Sequence, residues 1–148
     1  MNLGVKGEAL IKSYEQLRLK AYAATADERS RGIFTIGWGH TKGVKEGDVC
    51  THEQAQALFN EDTAESVKCI NDNVRIKLSQ NEFDALVSLT FNIGVGAFQK
   101  STLLKLINSH AIEAAANEFV KWNKQSGVVL PGLTKRRLEE KALFLGEV

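Results

Sequence analysis

Apolar positions in this chain recur mostly at helical spacing. Leu3, Leu10, Ile11, Tyr14 and Leu17 fall on one stripe and predict a first helix over about 2–16. The pattern changes between Arg18 and Gly47. Glycines stand at 32, 37, 39, 43 and 47, and Phe34-Thr35-Ile36-Gly37-Trp38 mixes β-branched and aromatic residues. That stretch predicts a small, glycine-rich β-hairpin region. Helical spacing then returns. Thr51-His52-Glu53-Gln54 reads as a capping box opening a helix through Ala55, Leu58 and Phe59. Ser79-Gln80-Asn81-Glu82 is a second box, followed by Phe83, Leu86, Val87, Thr90 and Phe91 and ended by Gly94 and Gly96. Shorter helices are expected over about 101–107, about 112–122 and, past a break at Pro131-Gly132, about 134–145. The implied fold class is α+β and mostly helical. It has a small β-containing lobe over about 18–50, and a helical lobe over about 51–148 joined by the first helix. A cleft between two unequal lobes of one domain, residues 1–148, is the expected place for a site.

Composition narrows the class of function. The 148 residues suit one compact domain, and 43% hydrophobic with 25% charged residues is ordinary for a globular chain. A net charge of +1 gives no global field for nucleic acid or an anionic membrane. The densest basic cluster, Lys135-Arg136-Arg137, is set in that near-neutral total, which argues against a helical DNA-binding protein. Met1 to Glu8 contains no apolar core ahead of a cleavage site, so no signal peptide is expected. No apolar run approaches the roughly 20 residues of a membrane span. Cys50 and Cys69 permit at most one bridge. Reduced thiols are the plainer reading in a cytosolic chain, and pairing after release into an oxidising compartment stays open. His40, His52 and His110 are scattered without a close second ligand, so neither a metal nor a cofactor is expected.

The candidate chemistry gathers at the junction of helix and hairpin. Glu15 stands in Tyr14-Glu15-Gln16-Leu17-Arg18-Leu19-Lys20-Ala21-Tyr22. A helical Glu alone is ordinarily a solvated charge. Its neighbour in the argument is Thr35-Ile36-Gly37-Trp38-Gly39-His40-Thr41, where two glycines let the backbone pass close to another group.

Together these segments resemble the phage-type lysozymes, glycoside hydrolase family 24, which includes the endolysins of lambdoid and T-even phages. The resemblance runs from Glu15-x-Leu17-Arg18-Leu19-x-x-Tyr22 through Thr35-Ile36-Gly37-x-Gly39-His40-Thr41. It continues at Phe91-Asn92-Ile93-Gly94, Phe98 and Ser101-Thr102-Leu103, and closes at Trp122 and Gly132-Leu133-x-x-Arg136-Arg137-x-x-Glu140. The order along the chain is the family's own. The resemblance implies a lysozyme-like fold and hydrolysis of the β-1,4 bond between N-acetylmuramic acid and N-acetylglucosamine of peptidoglycan.

Such chemistry needs a carboxylic acid to protonate the leaving oxygen and a group to handle water on the opposite face. Glu15 matches the family's acid. The family's second carboxylate, an Asp two residues after the Tyr, is Ala24 here, and the stretch from Tyr22 to Thr35 is longer than the family's. Asp27 is the best replacement and Glu28 the next. Thr35 matches the Thr that assists the water. His40 matches a structural His that forms a pH-dependent ion pair with an Asp, for which Asp62 fits. Thr41, Phe91, Asn92, Ser101 and Asn117 match positions that touch the sugar N-acetyl groups or the peptide stem, although the periodicity of Phe91 also suits plain core packing.

Two other activities compete with hydrolysis. A lytic transglycosylase would use Glu15 alone and leave anhydro sugars, and an inactive wall-binding domain would have lost its catalytic water. The resemblance also implies a peptidoglycan partner, a separate holin for release, and a monomer. The chain would wait in the host cytoplasm and then act at the periplasm and cell wall.

Overall fold

Short polar caps set where the helices begin. In the computed structural model, which describes residues 1–147, Ser79 Oγ accepts from Glu82 N at 3.1 Å and Glu82 Oε1 accepts from Ser79 N at 2.8 Å. This reciprocal box starts α4, Gln80–Ile93. The same arrangement of Thr51 and Gln54, at 3.1 and 2.9 Å, starts α3, His52–Asn73. Ahead of them come α1 (Val5–Tyr14), β1 (Arg18–Tyr22), α2 (Ala26–Ser30) and β2 (Thr35–Gly37). After α4 come α5 (Val95–Gln99), α6 (Thr102–Asn108), α7 (Ile112–Glu118), a 3-10 turn over Phe119–Lys121, β3 (Lys124–Gln125), β4 (Val128–Val129) and α8 (Pro131–Phe144). The mostly helical α+β fold expected from the sequence is the observed one.

The chain forms two compact units, Ile11–Ala64 and Met1–Leu10 with Glu65–Val148. In the first, β1 and β2 pair antiparallel, Arg18 opposite Gly37 and Tyr22 opposite Thr35, with an irregularity between the two pairs. Cys50 N donates to Leu19 O at 2.9 Å and Ala21 N to Asp48 O at 2.8 Å, so the 48–50 segment flanks the other edge of β1. Ile11, Phe34, Ile36, Ala55 and Phe59 are buried and form the apolar interior of this unit.

In the second unit α4 is the central helix. Every residue from Phe83 to Thr90 is buried, and α8 packs along it while α6 packs on α7. Burying side chains such as Phe83, Leu86 and Leu89 is worth about 1.5–3 kcal/mol each. One polar residue on this buried helix is a cap at long range. Asp84 accepts from Gly4 N at 2.8 Å and Gly7 N at 3.1 Å, and so satisfies two backbone donors at the start of α1 that have no partner within the helix. Gly7 has to be glycine here, since a Cβ would lie 2.7 Å from Asp84 Cβ.

Four boundaries differ from expectation. The first helix is shorter, ending at Tyr14. The stretch between Tyr22 and Thr35, expected as part of the β-hairpin region, contains α2, whose N-cap Thr25 accepts from Glu28 N at 3.0 Å. Gly96 does not end helical structure but sits inside α5, while Gly94, at φ 96°, closes α4. Pro131 does not break the chain before the last helix; it occupies that helix's first turn, where a missing N–H costs nothing.

Candidate active site

Glu15 follows the last residue of α1, its N–H donating to Lys12 O at 3.1 Å, and its side chain is half-buried. The element that meets it is a tight turn. Ile36 and His40 exchange two backbone hydrogen bonds at 2.9 Å, and Gly37 and Gly39 take φ values of 65° and 81° between them. Gly39 lies directly against the acid: a Cβ there would fall 2.9 Å from Glu15 Cδ and nearer still to Oε2. Both the positive φ and the close approach demand glycine. Trp38, between the two glycines, is half-buried, with Lys12 Nζ 4.7 Å from its ring centre and 4.9 Å from that of Phe59. Lys12 Nζ also donates to Gln56 Oε1 at 2.5 Å. One lysine on α1 thus ties the turn's tryptophan to α3, a contact the sequence reading missed because Lys12 carries no motif signal.

The turn ends on a fixed histidine. His40 is 7% exposed; its Nδ1 lies 2.9 Å from both Asp62 carboxylate oxygens and its Nε2 2.8 Å from Lys42 O. Acceptors facing both nitrogens lock the ring and leave it no nitrogen to offer a substrate. Thr35 is half-buried in β2, and Thr41 is exposed just past His40. Asp27 lies in α2 with its side chain exposed, 3.4 Å from Arg31 Nη1, while Glu28 beside it is half-buried. Arg18 stacks on Tyr22 at 4.8 Å and donates to Gln16 Oε1 at 3.1 Å. Glu15, Asp27, Thr35, His40, Thr41 and Asp62 thus all belong to the unit Ile11–Ala64.

The remaining candidates belong to the other unit. Phe91 and Asn92 form the last turn of α4, the first half-buried and the second exposed. Asn92 lines a cavity of about 410 Å³ with Ile93, Trp122, Lys124, Gln125 and Leu133. The β3–β4 hairpin supplies Lys124 and Gln125 to it; this hairpin turns through Ser126 at φ 51° and Gly127 at φ 81° and has no counterpart in the sequence-derived elements. Asn117 is exposed on α7. Ser101 is buried and caps α6, its Oγ accepting from Leu104 N at 3.1 Å and donating to Phe98 O at 2.7 Å.

The most heavily buried charges lie behind Asn92. Arg137 and Glu140 are both fully buried, with Arg137 Nε 3.2 Å from Glu140 Oε1. Glu140 Oε2 accepts from Arg136 Nε at 3.1 Å and Ser88 Oγ at 2.6 Å. Burial pushes the Glu140 carboxyl up, while Arg137, Arg136 and the Ser88 hydroxyl pull it back. Cys50 and Cys69 are free thiols, and burial pushes the Cys69 thiol up. Among the described residues no group of three or more His, Cys, Asp or Glu could hold a metal ion, and no helix is long and apolar enough to cross a membrane.

Known proteins are similar to this chain over nearly its whole length. A family model described as phage lysozyme matches residues 12–140. The endolysin of Acyrthosiphon pisum secondary endosymbiont phage 1 is 47% identical over 148 residues, covering 97% of this chain and 98% of that protein. The endolysin of Salmonella phage P22 is 41% identical over 150 residues, covering 98% and 99%. Among solved structures, the endolysin from Escherichia coli O157:H7 phage FAHEc1 superposes with a TM-score of 0.88 at 39% identity, covering 100% of this chain and 96% of that one. These relatives do not favour a transglycosylase or an inactive wall-binding domain. The chain belongs to the phage lysozyme family and is a peptidoglycan-cleaving glycoside hydrolase.

Proposed function

We propose that Glu15 is the general acid for hydrolysis of the β-1,4 bond between N-acetylmuramic acid and N-acetylglucosamine. The observation that carries this reading is the Gly39 backbone pressed onto the half-buried Glu15 carboxyl, an approach that only glycine permits. In the proposed step Glu15 gives its proton to the leaving oxygen as the bond from the anomeric carbon breaks. Water attacks that carbon from the opposite face and loses a proton to Asp27, with Thr35 orienting it. Attack from the opposite face inverts the anomeric centre. Glu28, half-buried beside Asp27, is the alternative acceptor. Thr41, Phe91, Asn92 and Asn117 hold the sugar N-acetyl groups or the peptide stem, and Ser101 serves through its cap on α6.

NMR of the products fresh from purified wall tests this directly. Free reducing ends of inverted configuration are expected, with Asp27→Ala losing more rate than Glu28→Ala. Anhydro ends or retained configuration would overturn water's assigned role, and a larger loss in Glu28→Ala would move that role to Glu28.

The same proposal treats residues 1–148 as one catalytic domain acting as a monomer. It holds the enzyme in the host cytoplasm until a separate holin admits it to the wall, a delivery suited to relatives named endolysins. Expression without a holin should leave cells intact, and lysis in that setting would remove the holin from the account.

A further inference from the structure

Asn92 is held by a residue that dictates which of its two polar atoms faces outward. Arg137 Nη2 donates to Asn92 Oδ1. A guanidinium can only donate, so the amide must turn its oxygen inward, and its NH2 is the group left for the cavity formed with Trp122, Lys124 and Gln125. Arg137 cannot easily yield this position. It is fully buried and clamped by Glu140, which Arg136 and Ser88 hold in turn.

We infer that Arg137 is a positioning residue that fixes Asn92 as a donor, so that the cavity selects acceptor oxygens of the wall polymer. The inference rests on the proposed role of Asn92 in substrate binding. Lys124, the cation at the cavity's rim, adds to the same preference. Carbonyl oxygens of this kind come from the acetamido groups of the glycan or from the peptide stem.

Kinetics on purified peptidoglycan test it through four variants: Asn92→Ala, Asn92→Asp, Arg137→Gln and the double Asn92→Ala/Arg137→Gln. Arg137→Gln should raise KM about tenfold while kcat stays within about twofold, the worth of one lost hydrogen bond. In the Asn92→Ala background the same change should add less than about twofold to KM, because both act through one amide. Asn92→Asp leaves the buried cluster intact and keeps a partner for Arg137, yet replaces the donor by an acceptor. It should keep the wild-type unfolding midpoint and raise KM at least as far as Asn92→Ala.

Asn92→Asp with wild-type KM would overturn the inference, as would equal KM increases for Arg137→Gln with and without Asn92. If Arg137→Gln does not fold, Asn92→Asp alone decides. Titrations with an N-acetylglucosamine oligomer and with a free stem peptide identify the source: weakened binding of either by Asn92→Asp supports the inference, and weakened binding of neither overturns it. A wild-type protein that leaves the wall uncut would instead defeat the underlying hydrolase reading.

Discussion

Glu15 and Glu140 show how differently one carboxylate can be used in two regions of a molecule. Glu15 sits half-buried at the end of α1, with a glycine turn against it. Glu140 is fully buried on α8, enclosed by Arg136, Arg137 and Ser88. Burial pushes the Glu140 carboxyl up, and its full enclosure leaves it no access to a substrate. Burial and paired charge therefore mark the scaffold at Glu140, whereas Glu15, the proposed acid, is marked by the close approach of the Gly39 backbone. A search by burial and charge alone would have chosen Glu140 over the proposed acid.

Separate perturbations of the two regions should break this comparison if it is wrong. The largest effect on stability is expected from Glu140→Ala, which leaves two buried guanidiniums without their shared anion. It should lower unfolding stability by about 3–5 kcal/mol, read from the denaturant midpoint. A loss below about 1 kcal/mol would mean that water already solvates the cluster. Gly39→Ala should act on catalysis instead, since it forces a Cβ onto the acid. A displacement of about 1 Å there costs about a hundredfold in the rate of wall clearing. Wild-type clearing by Gly39→Ala would refute the fixed approach of turn and acid.

Asp84→Ala tests the scaffold again, more gently. It strips two backbone donors at the start of α1 of their acceptor and should cost about 1–3 kcal/mol. The smallest effect concerns the thiols. Cys69 is buried with its thiol pushed up, and Cys50 is half-buried, so a neutral-pH alkylating agent should label Cys50 first. Equal labelling rates in the native protein would contradict the packing described around Cys69.

The two regions also differed in how legible they were. The α4 region could be read because its signals are local: Ser79 and Glu82 lie three residues apart, and Phe83, Leu86, Val87 and Thr90 repeat at helical spacing. The family, too, could be read, because Glu15, the Gly37–Gly39 turn and the Arg136-Arg137 pair keep their order. Short elements were lost. Thr25 and Glu28 do carry a capping signal, but α2 has five residues and buries none of them, so no apolar stripe announced it. The β3–β4 hairpin has two residues per strand, and only Ser126-Gly127 hinted at its turn.

Contacts between distant residues were lost as well. Asp84 looks like an error on an apolar face until Gly4 and Gly7 are seen to need it. The pairing of Arg137 with Asn92 spans 45 positions and follows no period. Sequence pattern reports what a residue does for its own element, and these residues work for another.

The central claim is that Glu15 supplies the proton while the scaffold holds it in place. The most direct measurement is clearing of a purified peptidoglycan suspension by Glu15→Gln, a nearly isosteric change, beside its unfolding midpoint. Clearing should fall by about a hundred to ten thousandfold, with stability unchanged within about 1 kcal/mol. Clearing at the wild-type rate by a folded Glu15→Gln protein would contradict it.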